Sequence, residues 1–180
     1  MLVLLLSGIA VAGAAPGITH DRVVEDRQAS MKAMAEAAKT IAGMFEGKTD
    51  YDATAFKLAA ETLRTKSGDA LIAEFPRGSV GGSTTAKAEI DQFPDEFAAL
   101  AHHVQTLAAA LSRAADTAPD GITDNMRMKP GTGGMGSSLL GKRAGPTKEL
   151  DPSEIPAEHV FHLMLQDCTS CHAKFRSKPL

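Results

Sequence analysis

The stretch Cys168-Thr169-Ser170-Cys171-His172 lies near the end of the chain and has the pattern C-x-x-C-H. This pattern is typical of covalent attachment of a c-type haem. The two thiols add to the two vinyl groups of the porphyrin, and the adjoining histidine gives the iron an imidazole nitrogen. Residues three or four apart share one face of a helix, so all three side chains can face one flat macrocycle if this segment is helical.

A C-x-x-C pair can also bind zinc, act as a redox dithiol or form a disulfide, but these roles fit this chain less well. The chain has only two cysteines, which excludes a four-cysteine zinc site within one chain, and a mixed site would need two histidines from elsewhere. A thioredoxin-like dithiol needs a strand before the motif, and none is evident. A disulfide between residues so close would constrain almost nothing. The sequence therefore predicts one covalently bound haem c.

The composition favours helices. Of the 180 residues, 43% are hydrophobic but only 4% are aromatic, and the net charge is -3. Alanine is abundant and β-branched runs are few, which favours helix over sheet. The slightly acidic charge gives no indication of a nucleic-acid partner. Because no catalytic base, nucleophile or second cofactor motif accompanies the haem motif, we do not expect an enzyme.

The N-terminus has the features of an export signal. The run from Leu2 to Val11 is apolar, and Ala12-Gly13-Ala14 offers small residues for cleavage. We predict a signal peptide over residues 1–14 and a mature domain over 15–180, with no membrane span after cleavage. An uncleaved anchor stays open, although about fifteen apolar and small residues are too few to cross a bilayer. Because c-type haem is attached outside the cytoplasm, we expect a periplasmic bacterial protein.

Apolar side chains recur at steps of three and four residues in several stretches, as in bundle helices. The most regular stripe runs from Phe93 to Leu111, and Asp52 is a candidate N-cap. Pro94 suits the first turn of a helix. The predicted helices span about 21–45, 52–75, 91–115 and 156–175, and the third starts between Asp91 and Pro94. They predict an all-α fold, an antiparallel four-helix bundle with haem between facing helices near one end.

Residues 117–155 are rich in glycine and proline and keep neither the helical nor the strand period for long. We predict a long surface loop between helices three and four, which is uncommon inside a compact domain. Met126, Met128 and Met135 leave a Cu(I) site open as a minor alternative, but scattered loop methionines usually bind no metal. The loop is also locally basic and could dock an acidic partner, although a solvated loop is the simpler interpretation.

The chain resembles the class II c-type cytochromes, the cytochrome c-prime superfamily, in two stretches. The segment from Cys168 to Arg176 is similar to the family pattern C-x-x-C-H-x-x-[FY]-R, and the segment from Arg27 to Lys32 is similar to R-Q-x-x-x-K. The resemblance covers about residues 20–115 and 156–178, and the long loop departs from it. It implies a periplasmic four-helix bundle with one haem, and a homodimer formed through helices one and two.

The resemblance also implies roles for individual residues. Cys168 and Cys171 would form the thioether links, and His172 would be the proximal iron ligand. Arg27 would lie near a haem propionate as a charge partner. Arg176 matches the arginine that stands beside the proximal histidine in this family.

Met31 takes the place that faces the other side of the iron in this family. The low-spin branch has methionine there as the sixth ligand, whereas high-spin members have an apolar or aromatic residue that leaves the iron five-coordinate. A methionine on an apolar helical stripe is otherwise usually core filler. The rival ligands in the chain are Met34, Met44, His102 and His103.

The ligand set decides the predicted function. Iron held by His172 and Met31 would change oxidation state with little change in geometry, and the thioether would raise its potential. We expect a monohaem electron carrier that meets redox partner proteins transiently, through a small interface around the haem edge. Two alternatives stay open: a five-coordinate binder of nitric oxide or carbon monoxide, and a haem subunit of a larger redox complex.

Overall fold

The structure is a computed structural model that describes residues 20–80, 84–128 and 151–178. Four long helices in these ranges form an all-α four-helix bundle, as predicted, and short helices lie in the connections. The helices are α1 (His20–Phe45), α2 (Ala53–Lys66), α3 (Asp69–Ala73), α4 (Glu89–Gln92), α5 (Pro94–Asp116), a 3-10 helix (Pro152–Glu154) and α6 (Ala157–Phe175).

The turn between α1 and α2 follows the local sequence. The first helix ends where predicted, and Gly47 then adopts a left-handed conformation with φ +68°, which glycine tolerates without steric cost. Asp52 caps α2 as predicted, because its side chain accepts a hydrogen bond of 2.7 Å from the Ala55 amide.

The predicted second helix, residues 52–75, is wrong as a single element because it breaks at Ser67-Gly68 into α2 and α3. Gly68 has φ +61°, and a Cβ there would lie 2.4 Å from Oε1 of Gln105 on α5. The Gly68 amide donates to the Ala101 carbonyl at 3.0 Å. The chain therefore crosses close against α5 at a point that only glycine permits.

The third long helix, predicted to start between Asp91 and Pro94 and to end near Ala115, is α5 and starts at Pro94. The short helix α4 precedes it, and Phe93, with φ -127° and ψ 56°, interrupts the helical backbone before Pro94 opens α5 in the predicted first-turn position. Phe93 does not belong to the buried stripe, because its side chain is 46% exposed. Its ring instead lies under the Lys174 ammonium, 4.1 Å from Nζ to the centroid.

The buried side chains form two clusters. The larger cluster fills the bundle between the long helices, with Ile41, Phe56, Leu107, Leu111 and Met164 at its centre. The smaller cluster lies at the end of the bundle that carries the haem motif, and its buried members are Leu71, Ile90, Phe97, Ala101 and Phe175. The helix α1 packs on α2, α2 packs on α5, and α5 packs on α6, whereas α1 and α6 share few close backbone contacts. The open seam of the bundle therefore lies between α1 and α6.

The first residues of the predicted 117–155 loop, 117–128, form neither helix nor strand, but they pack on the bundle. Met126 is only 3% exposed, and its carbonyl accepts a 2.9 Å hydrogen bond from the Glu158 amide at the start of α6. Glu158 Oε2 in turn accepts from the Met128 amide at 2.8 Å. Sequence patterning missed this packing because the two buried side chains of the segment, Ala118 and Met126, are isolated and create no periodicity.

Several predictions concern residues outside the described ranges, namely the signal peptide over 1–14, Met135, and the part of the loop from 129 to 150. Among the helices that the structure does describe, none is both long and apolar enough to cross a membrane.

Core packing yields a matched pair of substitutions on one helix. Leu63 on α2 is 2% exposed, whereas Leu58 is 68% exposed. We expect Leu63→Ala to lower the free energy of unfolding by about 2–5 kcal/mol because it leaves a cavity. Leu58→Ala should change it by about 0.5 kcal/mol or less. Urea denaturation of the haem-loaded variants measures both, and equal effects would contradict the described core.

Candidate haem site

The last two turns of α6 carry the C-x-x-C-H motif, so the segment is helical as the haem hypothesis requires. Both cysteines are free and half-buried. Cys168 packs against the larger buried cluster, and Cys171 packs against the smaller one. The motif therefore lies at the boundary between the two clusters.

A cleft of about 350 Å³ opens beside this motif, in the seam between α1 and α6. The helices α1, α4, α5 and α6 and the segments that flank residues 81–83 all contribute to its walls. The cleft brings together five of the six predicted site residues, which are Arg27, Met31, Cys171, His172 and Arg176. Cys168 is the exception, because its side chain lies on the side of the larger cluster.

The residues of the cleft fit a haem. Apolar side chains such as Val24, Ile90 and Phe97 line it and suit the macrocycle. A free thiol and an imidazole stand on one wall, and a thioether stands on a different helix. The cationic side chains of Lys32 and Arg176 also line it, and they suit the carboxylates of the porphyrin.

The protonation states of the motif suit haem attachment. Burial, together with the neighbouring Cys168 and Asp167, raises the pKa of Cys171 to about 11. The pKa of Cys168 is also raised, mainly by burial and then by Asp167. Both groups are therefore protonated thiols at neutral pH, and each S–H can supply both the sulfur and the hydrogen that add across a vinyl double bond.

His172 reaches the solvent at the mouth of the cleft, but part of its ring is desolvated. This partial burial lowers the pKa of His172, and the nearby Arg176 charge lowers it further. The imidazole is therefore neutral at physiological pH, which is the form that binds metals.

Arg27 lines the cleft, but its guanidinium points toward the linker that follows α3. The Arg27 Nε donates to the Glu74 carbonyl at 2.5 Å and Nη1 donates to the Ser79 carbonyl at 3.0 Å, while Nη2 donates to the Ser79 hydroxyl. Burial lowers the pKa of Arg27, and the charges of Glu74 and Asp91 oppose that shift. Its role as a propionate partner stays a prediction.

The end of α6 is fastened to residues that the sequence patterns did not indicate. The Ser177 amide donates to the Thr85 carbonyl at 2.8 Å, and the Lys87 amide donates to the Phe175 carbonyl at 3.0 Å. Ala86 and Arg176 form an isolated antiparallel bridge between these bonds. Thr84, Thr85 and Ala86 thereby line the cleft. No sequence signal marked them, because backbone pairing of an irregular segment leaves no periodic pattern.

The four rival iron ligands do not line the cleft; they are Met34, Met44, His102 and His103. Met44 is buried in the larger cluster. His102 Nε2 lies 2.8 Å from Asp69 Oδ1, and His103 Nδ1 lies 2.7 Å from Asp167 Oδ2. Within the described ranges, no group of three or more His, Cys, Asp or Glu side chains could hold a metal ion.

A four-helix bundle with a C-x-x-C-H motif in its last helix, beside a cleft in the seam, defines a bundle-type cytochrome with one haem c. A sequence profile described as cytochrome c' matches residues 22–138, which is more than half of the chain. The chain belongs to the cytochrome c' family.

Individual relatives agree with this assignment. Cytochrome c' of Rhodopseudomonas palustris is 27% identical over 174 residues, which cover 96% of this chain and 94% of that protein. The crystal structure of cytochrome c' from Thermochromatium tepidum is 21% identical and matches with a TM-score of 0.62 over 89% of this chain and 98% of that one.

The cytochrome c prime of Alcaligenes xylosoxidans also shares the fold. A nitric oxide complex of a single-site mutant is 22% identical and matches with a TM-score of 0.60 over 88% of this chain and 97% of that one. A further variant of the same protein has been solved with carbon monoxide bound. At these identities the solved structures support the fold alone.

Family membership confirms several predictions. Members of the cytochrome c' family bind one covalent haem c and are not enzymes, and they are typically periplasmic. The predicted cofactor and the non-enzymatic character are therefore confirmed. The resemblance is confirmed for the family as a whole, whereas membership of the low-spin branch stays a prediction.

The two cysteines can be tested one at a time. We expect Cys168→Ala and Cys171→Ala each to remove one thioether link, and the double variant to release its haem on denaturation. Haem staining of a denaturing gel measures covalent retention, and the pyridine haemochrome spectrum counts the remaining vinyl groups. Ser170→Ala, between the two cysteines, should retain both links. Covalent haem in the double variant would place the attachment elsewhere.

Proposed function

We propose that this protein is a periplasmic electron carrier whose haem iron is bound by His172 on α6 and Met31 on α1. One observation carries the proposal: these two side chains line the same cleft from two different helices. The two helices share few close backbone contacts. The His172 nitrogen and the Met31 sulfur thus belong to different helices that border one cleft, and the flat porphyrin could fill that cleft.

The two donors explain the chemistry. Haem supplies a one-electron redox centre when it is bound. The neutral imidazole of His172 is a good donor to iron in both oxidation states, and the Met31 thioether favours the reduced state and raises the potential. With a donor from each helix, the chain leaves no coordination position for a substrate or gas, which suits a carrier.

The remaining site residues have supporting roles in this proposal. Cys168 and Cys171 form the thioether links to the cofactor. Arg176 is exposed at the mouth of the cleft and is placed there by its bridge with Ala86. We propose that redox partner proteins dock transiently at this mouth, through a small interface of the kind that electron-transfer pairs use. The apolar N-terminal segment and the typical periplasmic location of the family support a periplasmic location for this carrier.

A second candidate function is the capture of nitric oxide or carbon monoxide. The comparisons support it more directly than they support the carrier, because two variants of the Alcaligenes xylosoxidans protein have been solved, one with nitric oxide and the other with carbon monoxide bound. Met31 is only half-buried in the cleft, so its side chain has room to move aside. If the thioether does not hold the iron, the face that α1 covers becomes a site for a small gas.

One substitution separates the two candidates. In the carrier, the ferric protein shows a low-spin spectrum with a thioether-to-iron charge-transfer band. We expect Met31→Leu to abolish this band, to give a high-spin form and to allow carbon monoxide binding on reduction. Leucine keeps the side-chain volume, so the effect comes from the lost sulfur.

Met34→Leu is the matched control, because Met34 lies on the same helix, packs against both clusters and does not line the cleft. It should leave the spectrum unchanged. A high-spin wild-type ferric protein at neutral pH would reject the carrier and support gas capture.

A further inference from the structure

We propose that Arg27 is a positioning residue for Met31 because it fixes α1 to the linker that follows α3, residues 74–80. In this proposal Arg27 does not bind a haem propionate. The inference rests on the proposed function, in which Met31 faces the iron. Arg27 and Met31 are four residues apart on α1, so they lie one turn apart on the same face.

The first support is the way in which the guanidinium is satisfied. The Arg27 side chain is 4% exposed, and each of its three nitrogens donates to Glu74 or Ser79 of the linker. A buried guanidinium is costly to desolvate unless its donors are paired. The linker oxygens provide that pairing within the chain.

The second support is the Glu74 side chain, which also accepts a hydrogen bond from α1. Ser30 Oγ donates to Glu74 Oε1 at 2.5 Å. Glu74 Oε2 is buried and has no hydrogen-bond partner among the described residues. The nearby Arg27 charge compensates this carboxylate, so the positive charge of Arg27 is already matched by an acid of the chain itself.

The third support is a continuous stack of side chains beneath the cleft. The Arg27 guanidinium carbon lies 4.3 Å from the centroid of the Phe75 ring. The Phe75 and Phe97 centroids are 5.0 Å apart, and the Phe97 and Phe175 centroids are 5.4 Å apart, both in edge-on arrangements. All four side chains line the cleft. The stack runs from α1 to α6, and Phe175 lies three residues after His172.

The stack therefore joins the two helices that carry the axial residues. At its α1 end it holds Arg27, one turn from Met31, and at its α6 end it holds Phe175, one turn from His172. Because α1 and α6 share few close backbone contacts of their own, this stack and the linker bonds set their spacing at the cleft. The spacing decides whether the Met31 sulfur reaches the iron.

Two mild substitutions in the haem-loaded protein distinguish positioning from a propionate contact. Arg27→Lys keeps the charge, but one ammonium cannot replace three donors in a fixed fork. Ser79→Ala changes no charge, but it removes the hydroxyl that accepts from Arg27 and donates to the Pro76 carbonyl. We expect each to weaken the charge-transfer band and to raise the carbon monoxide affinity of the ferrous protein roughly fivefold, the effect of one lost net hydrogen bond.

The double variant should change the affinity by less than the product of the single effects, because both act on one contact. Arg22→Lys, at an exposed position on the same helix, is the control and should match wild type. If Arg27 is a propionate partner, Arg27→Lys will stay close to wild type and Ser79→Ala will have no effect. That pattern would overturn the inference.

The wild-type spectrum tests the proposed function separately. If wild-type iron lacks the thioether, the carrier fails, and the same variants are compared by the rate of carbon monoxide association to the ferrous protein. Positioning predicts that Arg27→Lys and Ser79→Ala both shift this rate relative to the Arg22→Lys control, since Met31 still borders the binding face. Unchanged rates in both variants would reject the positioning role.

Discussion

The incomplete contact between α1 and α6 is the constraint on which the site depends. A four-helix bundle can close into a ring with each helix packed on its two neighbours. Here α1 packs on α2 and α6 packs on α5, but α1 and α6 meet little at the backbone, and the cleft opens between them. A cofactor bound there would complete the packing of a chain that has only 4% aromatic residues.

The two hydrophobic clusters lie in different parts of the bundle. The larger cluster holds the long helices together and contains Phe45 and Phe56 in edge-on contact, with centroids 5.5 Å apart. The smaller cluster forms the floor of the cleft and includes residues from the short helices α3 and α4. The breaks at Gly68 and Phe93, which look like defects of two long helices, are what bring these short helices to the floor. The haem motif thus lies at the end of the bundle that contains the smaller cluster, whereas most buried apolar side chains belong to the larger cluster.

The sequence was most informative where the chemistry is local. The attachment motif needs residue types at fixed helical spacing, and α6 provides that spacing directly. The seam patterns of α1 and α5 and the Asp52 cap also depend on neighbours within a few residues. The break at Gly68 was missed because it depends on close packing against α5 and not on local propensity. The interruption at Phe93 agrees with the position of Pro94, because the residue before a proline is pushed out of helical backbone. The packing of residues 117–128 was missed because two isolated buried side chains in an irregular segment, Ala118 and Met126, produce no pattern.

By itself, the sequence determined that this is an all-α protein with one covalent haem, because helical periodicity and the C-x-x-C-H spacing are properties of short segments. Only the tertiary structure decided what surrounds that haem. It placed Met31 and His172 in the walls of one cleft, although the two are far apart in the chain, and it left Met44, His102 and His103 elsewhere. It also turned Arg27 toward Glu74 and Ser79, because a buried guanidinium bonds to whichever acceptors the fold brings to it.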